Sequence, residues 1–369
     1  MLGVVEKLAL SVIEDEREFA MLRSPWQAVF NSSRDRNVYL TWEWSYTWWR
    51  HFGDRDRLHV LVVREGNDVV AIAPLLETSL GPRGLGRRML IGIGQETADY
   101  GGFLLGERPE ASGDVILDHL EQRITRGQVV ILTRLREDNT LLSLLRRRFP
   151  PGRRGPSLVQ EFVEDYPFLD LMKTENPAAH VSMLEKRNDV RRRLRRLRES
   201  HDVAFVYHAT RPRMNGQRFL ALHDERWTAK EREPSGLFVS GAGRAFLLDV
   251  AEALDASGYL RLSFVTADGA PIAARFGFEC DGTYFGVKSA FDPAFASFGP
   301  GHLIVALLLE DMVARGLREF DFLRGAGEHK DVWANGHHAV GYWTLRRRGA
   351  LGHRLLWLAL RRRVRLRGG

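Results

Sequence analysis

The residues of this chain whose types and spacing could do chemistry lie between Ser297 and Trp333. Ser297-Phe298-Gly299-Pro300-Gly301-His302 runs directly into the apolar stretch Leu303 to Leu309, and Gly316 closes the helix that this pattern predicts. A short strand, Glu319 to Leu323, is expected next, leading into Arg324-Gly325-Ala326-Gly327-Glu328-His329-Lys330-Asp331-Val332-Trp333. A turn rich in free backbone N–H groups at a helix N-terminus attracts a phosphate or pyrophosphate. Charged groups at the C-terminal end of the next strand stand where open α/β sheets bind their ligands. This is the layout of an acyl-transfer site that holds coenzyme A.

Moving an acyl group from a thioester to an amine needs a deprotonated amine, a polarised carbonyl and a proton for the leaving thiolate. A backbone N–H from the expected strand Thr283 to Lys288 would polarise the carbonyl without reorganising. Asp321 and Glu328 are the candidates for the base or for binding the amine. Asp321 alternates with Phe320 and Phe322, so its side chain faces away from both rings; capping the Arg324-Gly325 turn would serve it equally well. Glu328 also suits the first turn of a short helix. Arg324 and Lys330 could meet donor or acceptor phosphates, or stay surface charges. His302 sits just inside a helix N-terminus, which disfavours its protonation, so it is a neutral proton acceptor or a packed ring. Arg226-Trp227 would flank the acceptor or anchor the core, and Trp333 reads more simply as packed than as a substrate platform.

The elements that must position these groups occur twice in the same order. In the first half, strands at Leu58 to Arg64 and Val69 to Glu77 flank the hairpin signal Glu65-Gly66-Asn67-Asp68. A strand at Arg88 to Ile93, a helix at Ser112 to Thr125, a strand at Val129 to Leu135 and a helix at Asn139 to Arg148 follow. In the second half, Leu260 to Thr266 and Ile272 to Glu279 form a hairpin around Asp268-Gly269. Then come the strand Thr283 to Lys288, the helix Gly301 to Arg315, the strand Glu319 to Leu323, a short helix over Glu328 to Ala334 and a last strand at Val340 to Arg346. The seam is placed in Pro150-Pro151-Gly152-Arg153-Arg154-Gly155-Pro156, a loop by composition. Between the halves, Glu185 to Glu199 reads as one helix with a narrow stripe, Val190, Leu194 and Leu197, and arginine elsewhere. It touches phosphates or tRNA, or docks by its stripe with the arginines in water. Trp42, Trp44, Trp48 and Trp49 cluster on another helix and read as core.

Composition excludes several classes. A chain of 369 residues with 44% hydrophobic and 27% charged residues is an ordinary globular protein of roughly two domains. Cys280 is the lone cysteine, which excludes an internal disulfide and a multi-cysteine zinc site. His337-His338 project in different directions with no evident third ligand, so no metal is expected. The net charge of +7 rests on 48 arginines against six lysines, and it suits coenzyme A phosphates, tRNA or an anionic membrane alike. No signal peptide opens the chain and no apolar run approaches the roughly 20 residues that span a bilayer, so a cytoplasmic location is expected, at most peripheral to the inner membrane. Leu351 to Arg367 carries Leu355, Leu356, Trp357, Leu358 and Leu360 between arginine clusters, as a helix lying on an anionic membrane does.

Several short motifs in fixed order resemble the CelD-like, cellulose-biosynthesis-associated branch of the GNAT acyltransferases, which is similar to the FemABX aminoacyl transferases in having tandem GNAT folds. They are Ala73-Pro74-Leu75, Asp99-Tyr100, Phe219-Leu220-Ala221-Leu222-His223-Asp224-Glu225-Arg226-Trp227, Gly299-Pro300-Gly301-His302-Leu303 and Asp321-Phe322-Leu323-Arg324-Gly325, then Glu328, Lys330 and Trp333. The resemblance implies a mixed α/β (α+β) chain of two GNAT-like folds, each a central mixed sheet flanked by helices. Residues 1–155 would be a degenerate copy shaping the acceptor groove with Asp99 and Tyr100. Residues 156–350 would hold the donor, and 351–369 the basic helix. It also implies acetyl-CoA or another acyl-CoA as co-substrate, bound by Lys288, Ser297, Gly299, Gly301 and His302, and a small-molecule or saccharide amine as acceptor. The glycine turn departs from the family's in lacking a leading basic residue. FemABX relatives take aminoacyl-tRNA instead, so that donor stays open, as does a non-catalytic scaffold of polysaccharide assembly.

Overall fold

The computed structural model describes residues 7–80, 87–95, 97–152, 154–187, 189–228, 240–325 and 327–347. The segment 351–369, with its expected membrane helix, lies outside them. The chain divides into two units: one runs to Glu164 and takes up the chain again at Ala339, and the other is Asp165–His338. The first passage falls inside the strand Pro156–Asp170, which begins where the sequence shows only a proline- and glycine-rich loop.

In the first unit, strands Val60–Glu65 and Asp68–Ala73 pair antiparallel around Gly66, as the turn signal requires. The second does not continue to Glu77. Pro74, which has no N–H to give a ladder, ends it, and Leu75–Leu80 is a separate strand that pairs with Arg87–Gly92 in another sheet. Arg87–Gly92 in turn lies parallel to Val129–Arg136, from Met89↔Val129 to Ile91↔Ile131, with the helix Pro109–Thr125 between them in sequence. That helix buries Ile116, Leu117, Leu120 and Ile124 at helical spacing. Asn139 caps the helix Thr140–Arg148 by accepting from Leu141 N–H. Of the four tryptophans expected in the core, Trp44 and Trp48 are buried on Trp42–Phe52, whereas Trp42 and Trp49 are only half-buried.

The second unit repeats the plan. Leu260–Ala267 and Ala270–Cys280 form the hairpin, Thr283–Phe291 joins Ala270–Cys280, and Pro300–Arg315 leads to Glu319–Asp321. Glu319–Asp321 lies parallel to Thr283–Phe291 on one side and antiparallel to the end of Pro156–Asp170 on the other. The expected helix Glu185 to Glu199 is broken: Pro177–Arg187 and Val190–Ser200 are separate, with Asp189 between them at φ 56°. The stripe nonetheless docks. Val190 and Leu197 are buried and Leu194 is partly buried against the second core, which Leu303, Ile304, Leu308 and Met312 of Pro300–Arg315 also build. Among the described residues, no helix is long and apolar enough to cross a membrane.

Candidate acyl-transfer site

Thr283–Phe291 has a strand on each edge for only part of its length. Its parallel ladder to Glu319–Asp321 runs through Thr283↔Glu319, Tyr284↔Phe320 and Phe285↔Asp321, then stops. Beyond Phe285 no described strand covers that edge, so backbone polar groups there need other partners. Arg275 donates to the Gly286 carbonyl at 3.2 Å and Arg226 to the Ser289 carbonyl at 2.9 Å. At the same point the antiparallel register shifts between Phe276 and Phe278, leaving Gly286 and Val287 opposite Gly277 alone. This is a β-bulge, which turns backbone groups out of the ladder. Bulge and divergence both fall within the stretch from which a carbonyl-polarising N–H was expected.

Facing this sequence position in the βαβ unit is the helix Pro300–Arg315. Gly299, at φ 63°, ends the turn Pro293–Phe298 and begins the helix, a left-handed conformation that favours glycine. The cradle is narrower than the sequence suggests. His302 and Leu303 N–H both bond the Gly299 carbonyl, at 2.9 and 3.1 Å, and Pro300 has no N–H, so Gly301 is the first-turn donor left over. A Cβ on Gly301 would meet nothing within 4 Å, whereas one on Gly299 would collide with the Arg193 guanidinium. The basic group missing from the turn therefore arrives from the helix Val190–Ser200. Arg196 adds a second, 5.6 Å over the Phe298 ring.

Residues 185–331 match the Acetyltransferase (GNAT) domain. Solved structures similar in fold extend over both units: FemX (11% identity, 91% of this chain and 96% of that one, TM-score 0.59) and L-PGS from Bacillus licheniformis (12%, 91% and 95%, 0.53). A conserved protein from Bacteroides thetaiotaomicron matches similarly (12%, 91% and 100%, 0.55). At such identities they show the fold alone. No curated protein matches the sequence. Residues 185–331 thus carry a GNAT acetyltransferase domain, and the expected mixed α/β GNAT-like architecture is the one observed.

Within the GNAT domain the expected site residues separate by environment. Asp321 is fully buried, and its Oδ1 accepts from Leu323 N–H at 2.7 Å. It thus shapes the turn at the strand end, where Leu323 stands at φ 58°. Its side chain does oppose Phe320 and Phe322, whose rings stack at 4.4 Å. Glu328 is exposed at the start of the four-residue helix Glu328–Asp331. Lys330 does not point to a ligand: its ammonium donates to the carbonyls of Phe322, Leu323 and Arg324 at 2.8, 3.1 and 2.7 Å, closing the same turn. Arg324 and Ser297 are exposed and Lys288 is half-buried just past the bulge.

Trp333 is buried, as expected, and its indole N–H donates to His302 Nδ1 at 3.2 Å. Burial, and then the charge of Arg193, push the His302 pKa down. A neutral His302 whose Nδ1 accepts from Trp333 carries its proton on Nε2. Its Nδ1 is thereby occupied, leaving Nε2 as an N–H donor. Arg226 is half-buried, 4.5 Å over the Phe291 ring; the Trp227 side chain lies outside the described residues. Two groups were not singled out by the sequence. Arg193 carries no local motif, and His329 is drawn among the cations: burial, then Lys330, Arg226, Arg275 and His302, hold its pKa low.

Asp99 and Tyr100 belong to the first unit and are buried there. Asp99 accepts from Tyr39 O–H at 3.0 Å. As for metals, His338 has companions that the sequence did not reveal. Ligand atoms of Glu319, Asp321 and His338 lie within 4.8 Å of one another, although His338 already bonds Glu319 at 3.1 Å and stacks on Phe168.

Proposed function

We propose that this chain is an N-acyltransferase of the CelD-like branch, moving an acyl group, acetyl in the first instance, from acyl-CoA to an amine on a small molecule or cell-envelope saccharide precursor in the cytoplasm. The observation that carries this reading is the coincidence, within one βαβ unit, of a diverging parallel strand pair, a bulge at the divergence, and a glycine turn overlaid by Arg193. Acyl-CoA fits the residues present: Arg193, Arg196 and the Gly301 N–H would meet its phosphates, and open space above Gly301 leaves room for them. The thioester supplies the activated carbonyl. The acceptor nitrogen attacks that carbon, backbone N–H at Gly286–Lys288 stabilises the oxyanion, and the C–S bond breaks with release of the thiolate, which takes up a proton from solvent. Glu328, exposed and near the strand end in sequence, takes the amine proton. Holding both substrates in one cleft accounts for roughly 7–11 kcal/mol of barrier lowering, against about 10²–10⁴-fold for the base.

Steady-state kinetics test the division of labour. Glu328→Gln should lower kcat with acetyl-CoA affinity unchanged, while Asp321→Asn should act through folding stability. Wild-type turnover in Glu328→Gln removes this carboxylate from the mechanism. A second reading, transfer from aminoacyl-tRNA, is favoured by the likeness to FemX and by the exposed arginines of Val190–Ser200. It requires turnover that depends on charged tRNA and not on acyl-CoA.

A further inference from the structure

Two guanidiniums converge on the uncovered stretch of Thr283–Phe291 with no carboxylate paired to them among the described residues. Arg275 is only 6% exposed. It donates to Ser289 Oγ at 2.8 Å and to the Gly286 carbonyl, and lies 5.0 Å over the Phe320 ring. Arg226 reaches the backbone carbonyl of the same Ser289. Neither forms an ion pair among the described residues, and the Nε of each is buried without a hydrogen-bond partner. Aromatic faces offset only part of what burying an unpaired ion costs. Burial, and with it the charge of Arg226, pushes the Arg275 pKa down, and both cations bear on His329. Proteins pair or neutralise buried charge, and a guanidinium with a free Nε edge matches the two oxygens of a carboxylate.

We propose that Arg275 and Arg226 form an anion pocket beside the bulge, and that it takes a carboxylate of the acceptor. The assignment to the acceptor rests on the acyl-transfer reading; the pocket itself does not. Carboxylate binding here would hold the acceptor's amine alongside the thioester carbonyl at Gly286–Lys288, while the donor phosphates occupy the separate turn at Gly299–Gly301. The acceptor class is thereby narrowed to amines that also carry a carboxylate, such as amino acids, peptides or amino-uronic acids.

The test is thermal unfolding of the full chain in acetate, inorganic phosphate and chloride at matched ionic strength. Acetate should raise the midpoint in a concentration-dependent way. Arg226→Gln, at the more exposed position, should weaken that effect about tenfold, and Arg275→Gln should abolish it. Without anion, Arg226→Gln should melt at or above the wild-type temperature, because it removes one of two like charges. No response to acetate beyond chloride, or a lower midpoint for ligand-free Arg226→Gln, overturns the pocket. A larger response to phosphate than to acetate overturns the carboxylate assignment. Acetyl-CoA titration of Arg226→Gln reads the donor site independently, so loss of the acyl-CoA reading and loss of this pocket give different results.

Discussion

The two glycine-rich segments that follow the third strand of each copy look alike in sequence and do opposite things. Both units contain a parallel strand pair matched over three residues, with a helix in the crossover: Met89–Ile91 with Val129–Ile131, and Thr283–Phe285 with Glu319–Asp321. In the first unit the chain itself occupies most of the space past the pair, leaving a cavity of about 20 Å³ lined by Gln95, Tyr100, Gly101 and Thr133 among others. Gly101 N–H bonds the Arg134 carbonyl at 3.0 Å, Thr133 N–H reaches Gln95 Oε1 at 3.4 Å, and the Arg134 guanidinium bonds the carbonyls of Gln95 and Ala98. A Cβ at Gly101 would run into the Thr133 carbonyl, and one at Gly94 into the Trp44 ring. These glycines let the protein approach itself. In the second unit Gly301 faces open space and Gly299 faces only a flexible guanidinium. There the glycines leave room for something else, which is why the donor is assigned to the second copy.

Substitutions at matched glycines should break this symmetry. The largest effect is expected from Glu328→Gln, a fall of about 10²–10⁴-fold in kcat if the exposed acid is the base. Next, Gly301→Asp should abolish acetyl-CoA binding by placing an anion at the open helix N-terminus, with thermal stability near wild type. Gly101→Ala should do the reverse, costing about 1–3 kcal/mol of stability through overpacking. If Gly301→Asp unfolds the protein, or Gly101→Ala is silent, the contrast between an open and a self-filled cleft is wrong. Arg193→Ala should weaken acetyl-CoA by about tenfold, the worth of one charge-assisted hydrogen bond, with its midpoint unchanged.

The smallest effects concern pH, and they carry opposite signs in the two units. In the first, His59 and His119 meet Nε2 to Nε2 at 3.0 Å. Burial, then Arg123 and His119, push the His59 pKa down to about 4. The unfolded chain binds this proton first on acidification, so the contribution is full above about pH 6.5 and lost as pH falls through about 4. In the second, burial and Glu185 push the Glu310 pKa up to about 7. Here the folded chain keeps the proton longer, so the contribution is full below about pH 4.5 and lost as pH rises through about 7. Denaturant midpoints across this range should show the acid-side loss reduced in His59→Asn and the neutral-side loss reduced in Glu310→Gln. Parallel pH profiles for both variants and wild type would remove the distinction.

Local chemistry that depends on neighbours in sequence was legible. Gly66-Asn67 and Asp268-Gly269 marked their hairpins, Gly316 stands at φ 72° as the cap of Pro300–Arg315, and the alternation of Phe320, Asp321 and Phe322 fixed which way the acid points. What failed depended on partners far along the chain. Nothing near Gly299 announces Arg193, and nothing near Arg275 announces that it forms no ion pair among the described residues. Lys330 looked free because the three carbonyls it closes upon belong to a turn whose shape the sequence does not display. The strand Pro156–Asp170 was missed because its opening residues follow Pro150-Pro151-Gly152, a loop signature that ends abruptly at Pro156. The single helix from Glu185 to Glu199 was overcalled because its polar face is uniformly favourable to helix, while Asp189 in a left-handed conformation breaks it.

The most direct measurement is calorimetric titration of the wild-type chain and of Gly301→Asp with acetyl-CoA. Saturable one-to-one binding to the wild type, lost in Gly301→Asp although that variant stays folded, is the predicted result. Equal binding by both proteins, or none by the wild type, would contradict a donor site at the open glycine turn of the second copy.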